Sequence, residues 1–244
     1  MKLCLAGLNS LRSDSYALLK DIPYVLESFY YIRDYEIPLI KSCDLFLLDS
    51  GAFSFMNSNL KNVDIEKYLD DYIEFINKHD VKYFFELDID SVVGLKEVER
   101  LRKKLEDGTG KKCIPVWHFS RGKEYFIKMC QEYDYVAFGG IITDGVSTKK
   151  ILEYLPWFVK TAHQYGARIH ALGLTCKGIE KYGLDSADST SWNSISRFGS
   201  LYKFDGKQIK NVTPKNKRID KSKYNEGEVH NLKEWIKFQK YCNR

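Results

Sequence analysis

Apolar runs that stop at an acid or a glycine recur along this chain, and they limit its fold more than any other feature. They end in Leu-Leu-Asp49-Ser-Gly-Ala-Phe53, Phe-Glu-Leu-Asp88-Ile-Asp90, Val-Ala-Phe-Gly139-Gly140 and Ser-Ala-Asp188-Ser-Thr-Ser-Trp192. Strand-like runs are read at residues 2–6, 45–49, 83–88, 113–118, 135–139, 168–172 and 186–188. Helical patterns separate them at 64–78, 95–106, 123–132 and 148–165, with Asp64 and Ser147 as N-caps and Gly108 and Gly166 as C-terminal stops. Strands without polar alternation, each followed by a helix, pair in parallel with both faces covered. This predicts an α/β fold of the TIM type, a (β/α) barrel of seven or eight strands. Residues 24–32 could supply the eighth as a strand or could be helical, because a short apolar run does not settle its own period.

A chain of 244 residues suits one such domain, and no repeat or long linker divides it. Past Trp192 the pattern changes. Residues 201–204 and 208–212 flank Asp205-Gly206, a hairpin signal, and an amphipathic helix over 229–241 is expected to close the chain. No run approaches the roughly 18 apolar residues that cross a bilayer, and no secretory pattern opens the sequence, so a cytoplasmic protein is expected. The six cysteines are scattered without a C-x-x-C pair, which points to a reducing compartment and no zinc knuckle. Net charge is +5, yet residues 203–223 hold eight Lys/Arg against two Asp, a local +6. Lys207, Lys210, Lys215, Lys217 and Arg218 therefore form a candidate surface for a polyanion, against the plainer reading of a solvated Lys-rich loop.

In a parallel barrel the strand ends gather at one mouth, where barrel enzymes do their chemistry. Asp-Ser-Gly at 49–51 alone is a common turn, but with Asp188 it supplies a pair of carboxylates for acid/base and covalent work on a glycosidic bond. Asp88 and Asp90, two apart, point to one side, and an ionised carboxylate matches two adjacent N–H donors such as guanine's imide and amine. A helix cap, or a metal site with Glu86, is the alternative use of those acids. Gly139 and Gly140 can present bare amides to a carbonyl oxygen, or simply make a tight turn. Of the two strand histidines, His118 lies at a strand end and is favoured for function over His170.

Taken in order, Asp-Ser-Gly-Ala-Phe, Glu-Leu-Asp, Pro-Val-Trp-His, Phe-Gly-Gly, Ala-Leu-Gly and Ala-Asp-Ser resemble the tRNA-guanine transglycosylase superfamily over about residues 46–198. The closer likeness is to the shorter phage and bacterial branch that inserts 7-deazaguanine bases into DNA. That resemblance implies a β/α barrel, with Asp188 as nucleophile and Asp49 as general acid/base. It implies that Asp88 reads the guanine-like edge and that Gly139 and Gly140 bind the base carbonyl. Phe53 and Leu172, with Gly173, fall where the base is sandwiched, and His118 where the tRNA enzymes place a Gln. The tRNA enzymes also carry a C-terminal zinc site of three Cys and a His. Here the 56 residues after Asp188 hold only Cys242 and His230, so DNA is the expected partner, with tRNA the alternative. No metal, ATP or redox cofactor is implied, since one glycosidic bond replaces another. A carboxylate-pair N-glycoside hydrolase is the rival enzyme class.

Overall fold

The computed structural model describes residues 1–57, 64–139, 148–174, 176, 178–214 and 224–243, apart from the side chains of positions 14, 53, 56, 57, 148, 196 and 197. Seven parallel strands form its frame: β1 (Lys2–Ala6), β2 (Tyr24–Ser28), β3 (Leu45–Asp49), β4 (Val116–Trp117), β5 (Tyr135–Phe138), β6 (Arg168–Ala171) and β7 (Ser186–Ser189). Their order in the sheet is β3-β2-β1-β7-β6-β5-β4. The two edges are joined by residues 83–86. Leu48 donates its N–H to the Tyr83 carbonyl at 3.0 Å, and Ile114 donates to Phe84 at 2.8 Å, both in parallel bridges. An eighth stave thus closes the barrel, so the seven-stranded sheet has no open edge. The ambiguous run at 24–32 resolves as strand β2.

Alternation along the staves sorts their side chains into two cores. Cys4, Leu26, Leu47, Phe85, Val116 and Ala137 meet inside the barrel. Leu5, Val25, Leu48, Trp117, Val136 and Ile169 face outward against the helices. Carrying the inner set one step further brings Asp49, His118, Gly139, Leu172 and Asp188 to the top layer. The strand-end acids are therefore continuations of the apolar inner stripe, not surface turns.

The helix Ile65–His79 is capped by Asp64, whose carboxylate accepts the Lys67 N–H at 3.0 Å. Its buried stripe includes Tyr68 and Tyr72. The Tyr68 hydroxyl donates to the Ser50 carbonyl at 2.6 Å, and that of Tyr72 lies 3.1 Å from the Leu48 and Phe85 carbonyls. One helix face thereby fixes the turn that carries Asp49. The next helix, Leu95–Thr109, passes through Gly108 and is capped by left-handed Gly110, so the expected stop falls two residues late. Gly166 adopts φ 77° after the helix Thr148–Gln164, as expected for a stop, whereas Ser147 lies outside the described residues.

At the bottom, Arg168 lies 4.3 Å from the Tyr135 ring centroid and 5.0 Å from that of Tyr83, a cation–π plug. The expected hairpin is β8 (Tyr202–Phe204) with β9 (Ile209–Asn211), its turn held by Asp205 accepting from the Lys207 and Gln208 amides. The helix Tyr224–Cys242 closes the chain, and its Gln239 amide donates to the Leu3 and Tyr24 carbonyls at 2.7 and 2.6 Å. All six cysteines are free thiols.

Candidate active site

Asp49 and Asp188 line one cavity of about 420 Å³ at the C-terminal mouth. Asp188 is buried and accepts the Gly173 N–H at 2.6 Å through Oδ1. The same oxygen lies 3.2 Å from His170 Nε2, and His170 Nδ1 lies 2.6 Å from Ser186 Oγ, which in turn meets the Tyr135 hydroxyl. A polar chain thus runs from Tyr135 through Ser186 and His170 to Asp188. The Gly173 N–H and the His170 ring hold the Asp188 carboxyl in one orientation. His170 is fully buried, a site residue that its place within the strand alone does not favour over His118. The signal for it was nonlocal: His170 pairs in register with Ser186 on the neighbouring strand, and Asp188 follows two residues on.

Asp49 has the opposite character. Burial, then the nearby Asp88 and Asp188 charges, push its carboxyl up to about 7, against the pull of the Gly51 and Ser50 amides. Gly51 N–H donates to Asp49 Oδ2 at 3.1 Å. Gly51 has φ 65°, and a Cβ there would stand 2.4 Å from Ser28 Oγ, so this turn requires glycine. The pair thus consists of one carboxyl pushed up to about 7 and one whose Oδ1 accepts the Gly173 N–H.

On the far side of the mouth, His118 Nε2 lies 3.6 Å from Asp88 and 3.8 Å from Asp90. Burial opposes protonation of this ring, but Asp88 and Asp90 outweigh it and raise its pKa. Nε2 has no hydrogen-bond partner among the described residues. Asp88 and Asp90 do face the same side but differ in use. Arg121 donates to Asp90 at 2.9 Å and to the fully buried Glu86 at 2.8 Å, while Arg102 stands 3.3 Å from Glu86. Glu86 and Asp90 are therefore neutralised by arginines, not arranged as a cation cage, and Asp88 is the acid left facing the mouth. Arg121→Met should destabilise the fold by about 2–4 kcal/mol in urea unfolding, because it removes the only arginine on half-buried Asp90 among the described residues and leaves buried Glu86 with Arg102 alone. A loss under about 1 kcal/mol would show the cluster to be well hydrated.

Gly139 requires a correction. Its N–H donates to the Trp117 carbonyl at 2.8 Å, so the strand ladder consumes the amide expected to bind a base. What it contributes is the lack of a side chain, since a Cβ there would stand 2.6 Å from Val116 Cγ1 and 3.2 Å from His118 Cε1. Gly173 likewise spends its amide on Asp188 rather than on a substrate. Leu172 is half-buried against the inner core at the mouth. Gly140, Lys215, Lys217, Arg218 and the Phe53 side chain lie outside the described residues. Lys207 is exposed, and Lys210 is paired with Asp205 at 2.6 Å in an exposed contact that a phosphate could displace.

Fold and site together define an α/β barrel with a two-carboxylate mouth. No protein-family profile matches the chain, and no curated protein matches it. Among solved structures, it is similar to QR15, an aldolase, with a TM-score of 0.49 and 14% identity over 78% of this chain and 89% of that one. It is also similar to the carboxyl transferase domain from Rhizobium etli pyruvate carboxylase with 3-hydroxypyruvate. There the TM-score is 0.46 and identity 12%, over 99% of this chain and 48% of that one. Neither name is that of a transglycosylase, and likenesses this distant assign no activity. Among the described residues, no helix is long and apolar enough to cross a membrane.

Proposed function

We propose that this protein is a DNA guanine transglycosylase that exchanges guanine for a 7-deazaguanine base through an aspartyl-glycosyl intermediate. The observation that carries the reading is a pair of carboxyls held differently on one cavity: Asp49 buried and pushed up to about 7, Asp188 fixed by the Gly173 amide beside His170. Asp188 attacks the anomeric carbon and forms a C–O bond as the bond to guanine breaks. Asp49 gives its proton to the departing base. The incoming base returns a proton to Asp49, its nitrogen takes the anomeric carbon, and Asp188 leaves as carboxylate. Two inversions retain configuration.

The base sits on the Asp88–His118 side in this reading. Asp88 accepts from the imide and amine of a guanine-like edge, and a protonated His118 donates to the carbonyl oxygen. That gives His118 the role first assigned to the Gly139 amide. A guanine in duplex must leave the stack, at a few kcal/mol, which phosphate contacts from the exposed lysines of the hairpin would offset.

The test offers labelled guanine to the protein with DNA or with tRNA. Label is expected in DNA. Label in tRNA alone would move the substrate to tRNA, and release of free base without incorporation would favour an N-glycoside hydrolase.

A further inference from the structure

Trp117 and His118 are successive residues of one stave, and they face opposite ways. His118 turns into the mouth beside Asp88, whereas Trp117 turns outward to the helices. Over that outer face lies a second cavity, of about 220 Å³, which base exchange in the mouth does not use. Buried Trp117 and Phe158 line it, with half-buried Phe119 and exposed Tyr154. The Trp117 ring centroid is 4.6 Å from that of Phe158 and 5.1 Å from that of Phe119, and Phe119 is 6.4 Å from Tyr154. The Trp117 indole N–H donates to the Gly122 carbonyl at 2.6 Å, so its polar edge is already satisfied. The wall therefore offers ring surface, on which another flat ring stacks.

Two lysines mark the rim. Lys123 stands in the first turn of the helix Gly122–Glu132 and Lys150 in that of Thr148–Gln164, and both are exposed. The Lys123 Nζ lies 5.1 Å from the Trp157 centroid and 6.0 Å from that of Tyr154, so its charge is held over the aromatic wall. No acid belongs to that wall among the described residues. Aromatic faces beside ammonium groups match a base joined to a phosphate, the combination that single-strand binding surfaces use. Size separates a free nucleotide from one nucleotide of a strand. Pockets that take a whole small ligand run to about 300–1,000 Å³, and this one is smaller. It suits one ring system of a longer molecule.

We infer that this cavity holds an unpaired base of the DNA strand whose guanine enters the mouth. The base stacks against Tyr154 and Phe119, and Lys123 and Lys150 meet its flanking phosphates. The occupant rests on the transglycosylase reading. A strand bound this way straddles the end of β4, and a second base held out of the stack opposes closure of the duplex behind the target.

Single-stranded DNA with one guanine, and 5-iodo-2′-deoxyuridine a few positions to either side, is irradiated with the Asp188→Asn protein, which blocks turnover. The crosslink is expected on the peptides that carry Phe119 or Tyr154. Adding Tyr154→Ala should weaken the same strand about five- to a hundredfold, the worth of one stacked base, and the loss should vanish on a strand abasic at the crosslinking position. Lys123→Gln and Lys150→Gln should each lower the slope of log affinity against log salt by about 0.7. All three side chains are exposed, and circular dichroism checks the fold. A crosslink confined to other peptides, or unchanged strand affinity with Tyr154→Ala, overturns the inference. So does 2′-deoxyguanosine 5′-monophosphate binding as tightly as the strand with equal loss in Tyr154→Ala, which makes the cavity a mononucleotide pocket. Exchange of labelled guanine by the wild-type protein is scored separately. Exchange without the crosslink or the affinity loss defeats this cavity alone, and both of those effects without exchange defeat the base-exchange reading alone.

Discussion

Asp188→Asn is expected to lower base exchange by at least about a thousandfold while leaving the affinity for free guanine unchanged. Asparagine keeps an oxygen where Oδ1 accepts from Gly173 and His170, so the loop and the His170–Ser186–Tyr135 chain have no cause to move. What disappears, on the proposed function, is the carboxylate that attacks the anomeric carbon. The effect should therefore fall on the rate of the chemical step, read in a single-turnover release of labelled guanine from DNA. A variant that keeps more than about a tenth of the wild-type rate would remove Asp188 from the nucleophile's role.

The second large effect belongs to Asp49. Asp49→Asn should slow guanine release by about a hundred- to ten-thousandfold, because the departing purine loses its proton source. The pH dependence carries the sharper signature. On the proposed function guanine release needs Asp49 protonated, so between pH roughly 5.5 and 9 the wild-type rate should fall as pH rises through about 7. The asparagine variant keeps its residual rate without that limb. Stability has the same sign. A carboxyl whose folded pKa lies above its unfolded value favours the folded state below the unfolded pKa and loses that contribution as pH rises through about 7. Wild type should lose stability across that window relative to Asp49→Asn in paired urea titrations at acid and neutral pH. A flat rate profile from pH roughly 5.5 to 9 would contradict the assignment.

Strand by strand, what the sequence disclosed was what alternation alone can carry. Leu45, Leu47 and Asp49, or Ile114, Val116 and His118, read as one inward stripe that turns polar at its end, and the barrel brings those ends to one mouth. Local pattern failed where a partner lies far along the chain. Residues 24–32 are ambiguous because so short an apolar run does not settle its own period, and the buried Glu27 within β2 is accounted for only by the distant Leu8 amide that donates to it. Asp90 looked equivalent to Asp88 until Arg121, 31 residues away, claimed it. His170 gained its place from register with β7, and Gly139 lost its amide to a ladder that runs one residue beyond the strand it ends. Each of these depends on which staves are neighbours, and a single strand does not encode that order.

A covalent bond between the protein and the sugar decides the matter most directly. Wild-type protein is incubated with guanine-containing DNA, denatured during turnover, digested and mapped by mass. The account predicts a deoxyribosyl ester on the peptide containing Asp188, absent in Asp188→Asn and discharged when a 7-deazaguanine base is added before denaturation. An ester on another carboxylate, or exchange of labelled guanine with no protein-bound sugar at any time, would contradict it.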